Sequence, residues 1–342
     1  MSRSANRPLR RGRVAVGGPV KIMRAATLAV ALAAVSTACG AATPQATGPA
    51  PTTSVEPTSS VPPVAAPICG ASTAPPTTYD HVVILIEENR TWSTVGGVGF
   101  TDPTMPYLGS LASRCTVFSE WTETNTTQNS LNQYIGLVTG VSNNATVDDC
   151  SPSAACRSTD DNLFRQVRLA RGTPRSFVEG ATTGCSADGN AAKHVPALYL
   201  SGTYVADGTT HNDHDYCDTE VRPLTELDVD HLPTLAMITP NLCNDGHDCG
   251  NDKVDAYAQG LLSRILGGAS YAAGDTAVMV LYDEDHPVPN LIIAPTAAAA
   301  VSTIAGAGHA AVLRTWEELL GLPVLSSVQN AATISLRGPA HI

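Results

Sequence analysis

Two acidic clusters stand directly behind continuous apolar runs. Glu87-Glu88-Asn89 follows His81-Val82-Val83-Ile84-Leu85-Ile86, and Asp283-Glu284-Asp285 follows Ala277-Val278-Met279-Val280-Leu281 with Tyr282 between. Oxygen donors gathered from separate segments are what a hard divalent cation requires, Mg2+, Ca2+ or Mn2+ before softer metals. A third group, Asn244-Asp245-Gly246-His247-Asp248, lies between Cys243 and Cys249 and adds Asp245 as an oxygen ligand and His247 as an imidazole. With His247 or His309 in the set, zinc also fits. Ser130 supplies a hydroxyl at the start of a stretch in which Leu131, Tyr134, Ile135 and Val138 recur at helical spacing. Taken singly, an acidic residue at a strand end or a serine at a helix start is ordinary polarity or capping. Two matching clusters behind two apolar runs are harder to read as solvent-facing loops.

These side chains need elements that aim them at one point. The runs at 81–86 and 277–281, with the shorter Leu235-Ala236-Met237-Ile238, are apolar without alternation, which suits parallel strands buried on both faces by helices. Ligands of open α/β sheets bind at the carboxyl ends of such strands, where both acidic clusters fall. The spacing from 131 to 138 predicts a helix with Ser130 at its N-cap, whose free N–H groups and positive end would hold an anion. From Tyr79 onward strand-like runs alternate with amphipathic stretches and loops rich in Gly, Asn and Asp, with no fixed repeat, so the expected class is α/β. A further apolar strand is expected at Leu291-Ile292-Ile293, soon after Asp285.

In chain order the segments are Glu88-Asn89-Arg90, Ser130 with Tyr134 four residues on, Lys193-His194-Val195-Pro196, Leu232-Pro233 leading to Thr239-Pro240-Asn241, Asn244 to Asp248, Tyr282-Asp283-Glu284, and His309 before a stretch with Thr315 and Glu317. This order resembles the bacterial phospholipase C and acid phosphatase family of phosphoesterases, across the whole folded region. The resemblance implies an alkaline-phosphatase-like three-layer α/β/α sandwich with a mostly parallel central sheet. It implies that Glu88, Asn89, Asp283 and Glu284 help hold a divalent metal and that Ser130 is the nucleophile, passing through a phosphoserine intermediate. It also singles out His194, His247 and His309 from the other histidines to contact phosphoryl oxygens or protonate the leaving group. Members of the family often carry His-Pro before the nucleophile. Here Gln128-Asn129 stands there, behind an expanded Thr124 to Thr127, which keeps Thr126 and Thr127 as competing hydroxyls.

The first 38 residues hold seven basic side chains and no acidic one, and end in an apolar run from Ala25 to Ala38. That is a signal-peptide pattern, too short for the roughly 20 residues that span a bilayer. Cys39 follows as the residue a bacterial lipoprotein would lipidate, although Ser36 stands where an aliphatic residue is usual, and plain secretion with cleavage near Ala38 or Ala42 is the other reading. Residues 39–78 are dominated by Ala, Pro, Thr, Ser and Val and read as a tether, leaving 79–342 as the phosphoesterase domain. Nine cysteines less Cys39 leave Cys69, Cys115, Cys150, Cys156, Cys185, Cys217, Cys243 and Cys249, an even set suited to disulfides in an oxidising compartment.

Losing a leader with seven basic residues and no acidic one takes the formal charge from −11 to −18. Nucleic acid is thereby excluded as a partner, and a phosphate substrate must be drawn by a local cation. The expected activity is an exported acid phosphatase or phosphoinositide phosphatase, acting on a phosphate monoester or phospholipid at a membrane surface reached through the lipid on Cys39. A phospholipase C-type phosphodiesterase and a non-catalytic metal-binding surface lipoprotein are the alternatives.

Overall fold

Val82 to Ile86 bury essentially all of their surface, as do Ala277 to Leu281 and Leu235 to Ile238. Neighbouring side chains of a strand point to opposite faces, so unbroken burial means that both faces of the sheet are covered. The computed structural model describes residues 67–124, 129–142, 146 and 148–342. The expected leader, Cys39, the first part of the tether, Thr126 and Thr127 lie outside the described residues.

The strands are β1 (His81–Glu87), β2 (Thr116–Phe118), β3 (Pro174–Val178), β4 (Thr203–Ala206), β5 (Thr209–Asn212), β6 (Val221–Pro223), β7 (Leu235–Thr239), β8 (Thr276–Tyr282), β9 (Asn290–Ile293) and β10 (Ala300–Ser302). Eight of them form one sheet in the order β10-β2-β9-β8-β1-β7-β3-β6. All its ladders are parallel except the two that β9 makes, so β9 alone runs against the rest. β4 and β5 form a separate hairpin joined by Asp207 and Gly208, both at positive φ, the Asp-Gly pairing that two-residue hairpin turns favour.

The helices are α1 (Pro106–Ala112), α2 (Ser130–Thr139), α3 (Leu163–Leu169), α4 (Cys217–Glu220), α5 (Asn251–Gly267), α6 (Ala269–Ala272), α7 (His309–Leu319) and α8 (Arg337–Ala340). One layer packs α1 and α6 on α5, and the other packs α2 on α7 and α3. This is the three-layer α/β/α architecture with a mostly parallel sheet that the sequence led us to expect. One detail differs: Asn129 is the N-cap of α2 and Ser130 its first helical residue. No helix among the described residues is long and apolar enough to cross a membrane.

β1 lies between β7 and β8 with Glu87 in register with Tyr282, so the chain leaves all three strands at the same edge. That edge carries Glu88-Asn89, Asp283-Glu284 and the loop from Pro240 to Asp248.

Residues 67–78, assigned to the tether on composition, are attached to the domain. Cys69 is bonded to Cys115, Gly70 and Ala71 donate to Ala297 O and Pro295 O, and Arg337 donates to the carbonyls of Pro76 and Thr77. Proline-rich composition denies a segment a core of its own, but not main-chain bonds to someone else's. The packed chain thus starts ahead of Tyr79. The other bridges are Cys150–Cys156, Cys185–Cys217 and Cys243–Cys249.

Closing 46 residues between Cys69 and Cys115 restricts the unfolded chain. On the chain-entropy relation, replacing both cysteines by serine should cost about 4 kcal/mol. Urea unfolding of the double variant should show a lower midpoint, and an unmoved midpoint would mean that the bridge contributes nothing.

Candidate active site

The turn after β1 is pinned before any side chain enters the site. Glu88 N donates to Asp245 O at 2.8 Å, Asp283 N donates to Glu87 O at 3.2 Å, and Asn89 N donates to Asp283 Oδ1 at 3.1 Å. Arg90 spreads its guanidinium over the carbonyls of Glu88, Asn89, Gly246 and Cys249, tying the β1 turn to the loop closed by Cys243–Cys249. Gly246, at φ 94°, turns that loop where an added Cβ would meet Val254 at 2.9 Å. Its position leaves Asp245 Oδ1 to accept from His247 N at 2.8 Å.

Glu88 is the centre of the arrangement. Ser130 Oγ donates to Glu88 Oε2 at 3.1 Å, and Tyr134 OH, one helical turn on, donates to Glu88 Oε1 at 2.6 Å. His194 lies flat against Tyr134, with ring centroids 5.2 Å apart. Its Nε2 is 3.3 Å from Glu88 Oε2 and its Nδ1 3.3 Å from Asp245 Oδ2. Thr239 Oγ1 fixes the backbone beneath it by donating to His194 O at 2.9 Å. Glu88, His194, Asp245 and Asp283 are all 0 % exposed.

Burial raises the Glu88 pKa well above the carboxylate range, and repulsion from Asp283 and Asp245 adds to it, against partial relief from the Tyr134 and Ser130 hydroxyls. Asp283 is also raised by burial, with the Asn89 N–H opposing. Glu284 is pushed up to about 8, by burial first and then by Asp283, Asp285 and Asp149.

Several donor atoms here have no hydrogen-bond partner among the described residues: Asn89 Oδ1, Asp245 Oδ2, Asp283 Oδ2, Glu284 Oε2 and both nitrogens of His194. Buried polar atoms normally find partners, and this orphaned set is what a cation would satisfy. Glu88, His194 and Asp245 each offer an atom within 4.8 Å of the others. The donors are mostly carboxylate oxygen with one imidazole, so the residues fit a divalent metal, with Mn2+ or Zn2+ accommodated beside Mg2+ and Ca2+.

The remaining expected site residues divide. His247 sits at the partly exposed rim, its Nδ1 2.7 Å from Asp248 Oδ1, its Nε2 3.5 Å from Lys193 Nζ, and its ring 5.8 Å from that of His194. Glu284 is buried beside Asp283, within reach of the charges of Asp149 and Lys193. His309 is not aimed at the cluster. Its Nε2 donates to Tyr282 O at 3.3 Å and its Nδ1 accepts from Thr124 N at 3.3 Å, so both nitrogens bond to the main chain. It holds the end of β8 against the segment before α2. His194, expected to act on phosphoryl oxygens or the leaving group, lies between the carboxyl groups of Glu88 and Asp245, where it could also serve as a ligand.

No family model matches the chain. It is 26 % identical over 281 residues to a phosphatidylinositol-3-phosphatase of Mycobacterium tuberculosis (strain H37Rv), spanning 79 % of this chain and 87 % of that protein. Among solved structures it is similar to a 2-O GAG sulfatase, with a TM-score of 0.51 at 13 % identity over 77 % of this chain and 74 % of the other. A protein in the alkaline phosphatase superfamily from Vibrio parahaemolyticus aligns at a TM-score of 0.48 and 15 % identity, over 77 % and 71 % of the two chains. At such identities the sulfatase shares the fold and nothing finer.

Tyr134, Arg90, Lys193 and Asp149 are the parts of the site that the sequence did not assign. Tyr134 read as a core position of α2, and it is one, but its hydroxyl reaches Glu88. Its place four residues after Ser130 was the available signal. Arg90 bonds only to carbonyls and one amide, partners that no sequence pattern displays.

His309 yields a stability prediction. Burial lowers its pKa from 6.5 to about 4. Between those values the unfolded chain takes up a proton that the folded one refuses, so stability is full above pH 6.5 and falls toward pH 4, by about 3 kcal/mol. Unfolding free energies of His309→Gln should decline less steeply than wild type over that interval, and identical slopes would remove His309 from the acid response.

Proposed function

We propose that this protein is a metal-dependent phosphoric ester hydrolase that acts on phosphate monoesters, with phosphoinositides as the substrate class, through Ser130 as nucleophile. The observation that carries the reading is the Ser130 hydroxyl, at the start of α2 and hydrogen-bonded to a buried carboxyl, Glu88, inside an otherwise unsatisfied ligand set. The mycobacterial phosphatase supports the substrate class, with 87 % of its length aligned.

A divalent cation held by Glu88, Asn89, Asp245, Asp283 and His194 would neutralise developing charge and acidify the serine hydroxyl. Ser130 Oγ gives its proton to Glu88 Oε2, to which it already donates, and forms the bond to phosphorus as the ester oxygen departs. His247 is the group at the rim that can protonate the departing alkoxide. Asp248 holds its Nδ1, which leaves Nε2 on the side facing Lys193. Water then attacks phosphorus while His247 takes up its proton, the bond to Ser130 Oγ breaks, and Glu88 returns its proton to the serine. Tyr134 keeps Glu88 from swinging away, and His309 fixes the main chain from which α2 starts.

Export belongs to the same proposal. Four disulfides need an oxidising compartment, and with eight cysteines paired, Cys39 is the residue left for lipid attachment outside the cytoplasm.

The test is release of phosphate from p-nitrophenyl phosphate and phosphatidylinositol 3-phosphate by wild type and Ser130→Ala, with and without EDTA. Wild type should turn over, EDTA should stop it with recovery on adding a divalent metal, and Ser130→Ala should lose about a thousandfold or more in kcat. Release of phosphocholine from phosphatidylcholine vesicles in place of phosphate would make the protein a phosphodiesterase. Metal binding without turnover of either substrate would make it a non-catalytic protein.

A further inference from the structure

Lys193 and Asp149 meet beside Ser130 in a way that the proposed chemistry does not use. Asn129, the N-cap of α2, makes no side-chain cap. The N–H of Leu131, the residue after Ser130, donates instead to Asp149 Oδ1 at 3.0 Å. The second oxygen, Asp149 Oδ2, is 3.3 Å from Lys193 Nζ. One carboxylate therefore bridges the positive end of a ten-residue helix and an ammonium group, adjoining the nucleophile.

That is the position a phosphoryl group must reach. A phosphorus attacked by Ser130 Oγ brings its non-bridging oxygens next to the first N–H groups of α2, the donors best placed to hold them. The partner of the nucleophile, Glu88, belongs to the buried set in which Asn89 Oδ1 and Asp283 Oδ2 have no hydrogen-bond partner among the described residues. Lys193 is one of three lysines in a chain of net −11, and it is half-buried among Asp149, His247 and Glu284. Arg90, the other cation near the cluster, is fully engaged by carbonyls and Asn251. Asp149 itself is an L residue at φ 51°, a conformation only sparsely populated outside glycine, held there with its carboxylate turned inward.

We propose that Lys193 Nζ and the Leu131 N–H are the seat for a non-bridging phosphoryl oxygen, and that the Asp149 carboxylate occupies this seat in the free protein as an internal competitor. The inference rests on the phosphoesterase reading above. Substrate enters by displacing Asp149, whose two oxygens imitate two oxygens of phosphate, and Lys193 exchanges one anion for the other. Lys193 is thus the local cation that a strongly acidic chain needs in order to receive an anionic substrate.

Two readouts separate this inference from the reading it rests on. The first is steady-state hydrolysis of p-nitrophenyl phosphate, with inorganic phosphate as inhibitor, by the metal-loaded full chain and its variants. The second is calorimetric titration of inorganic phosphate into the same proteins, which needs no turnover. Lys193→Ala should weaken phosphate about tenfold and raise KM in parallel, with Lys193→Arg recovering part of the loss. Asp149→Asn should do the reverse, tightening phosphate and lowering KM by about three- to tenfold. Asp149→Ser is the second replacement, because a shorter oxygen acceptor keeps the α2 end capped if the amide does not fold. Phosphate binding that is unchanged or weaker in both Asp149 variants would reduce Asp149 to a helix cap and overturn the inference. Phosphate binding that shifts as expected without hydrolysis of any ester would uphold the seat and defeat the phosphoesterase reading.

Discussion

Glu88, Asp245 and Asp283 are enclosed at the edge of the central sheet, with no water-exposed surface, around the imidazole of His194. Two carboxylates about 4 Å apart repel by about 4 kcal/mol even at an effective dielectric of 20. Three such groups cannot all stay ionised in a closed space, and they must either take up protons or share a cation. The raised pKa values of Glu88 and Asp283 express the first outcome, and the orphaned oxygens around them are arranged for the second. A bound divalent ion would shift this balance toward the charged carboxylates.

Keeping repelling groups together requires a frame that does not relax. The parallel ladders of β1 with β7 and β8 supply it, because they bring three chain reversals to one edge and bury the strands on both faces. Arg90 and the Cys243–Cys249 bridge then fix the loops to each other through carbonyls, leaving side-chain oxygens for the site. Tyr134 and Ser130 approach from α2 and donate to the two oxygens of one carboxyl group, so the helix start and the strand end are positioned by the same residue.

How much of this the sequence displayed depends on whether the cause was local. Unbroken apolar runs mark strands covered on both faces, and β1, β7 and β8 were legible for that reason. Acidic residues behind two of those runs located the edge that matters. The helical period from Leu131 to Val138 located α2, but whether Ser130 or Asn129 caps it is a difference of one residue that periodicity does not resolve. His194 and His309 carry the same ring and different duties, since His194 faces two carboxyl groups and His309 two main-chain groups. Only the tertiary neighbours decide that. Residues 67–78 misled in the opposite direction, because their composition is that of a tether while their carbonyls are taken up by Tyr271 and Arg337.

The site also separates by depth into two kinds of residue. Glu88, Asp245, Asp283 and His194 are sealed, and their partners are set by the fold, so they suit a constant task such as holding a cation. Lys193, Asp149 and His247 sit nearer solvent, with Lys193 between the other two. Those contacts are fewer and more easily exchanged for contacts with a ligand. An acidic protein meets an anionic substrate with an unfavourable long-range field, so attraction must come from groups close enough to escape screening. In the proposed reading the buried α2 N-terminus and the half-buried Lys193 are such groups, and they adjoin the carboxyl that Ser130 bonds to.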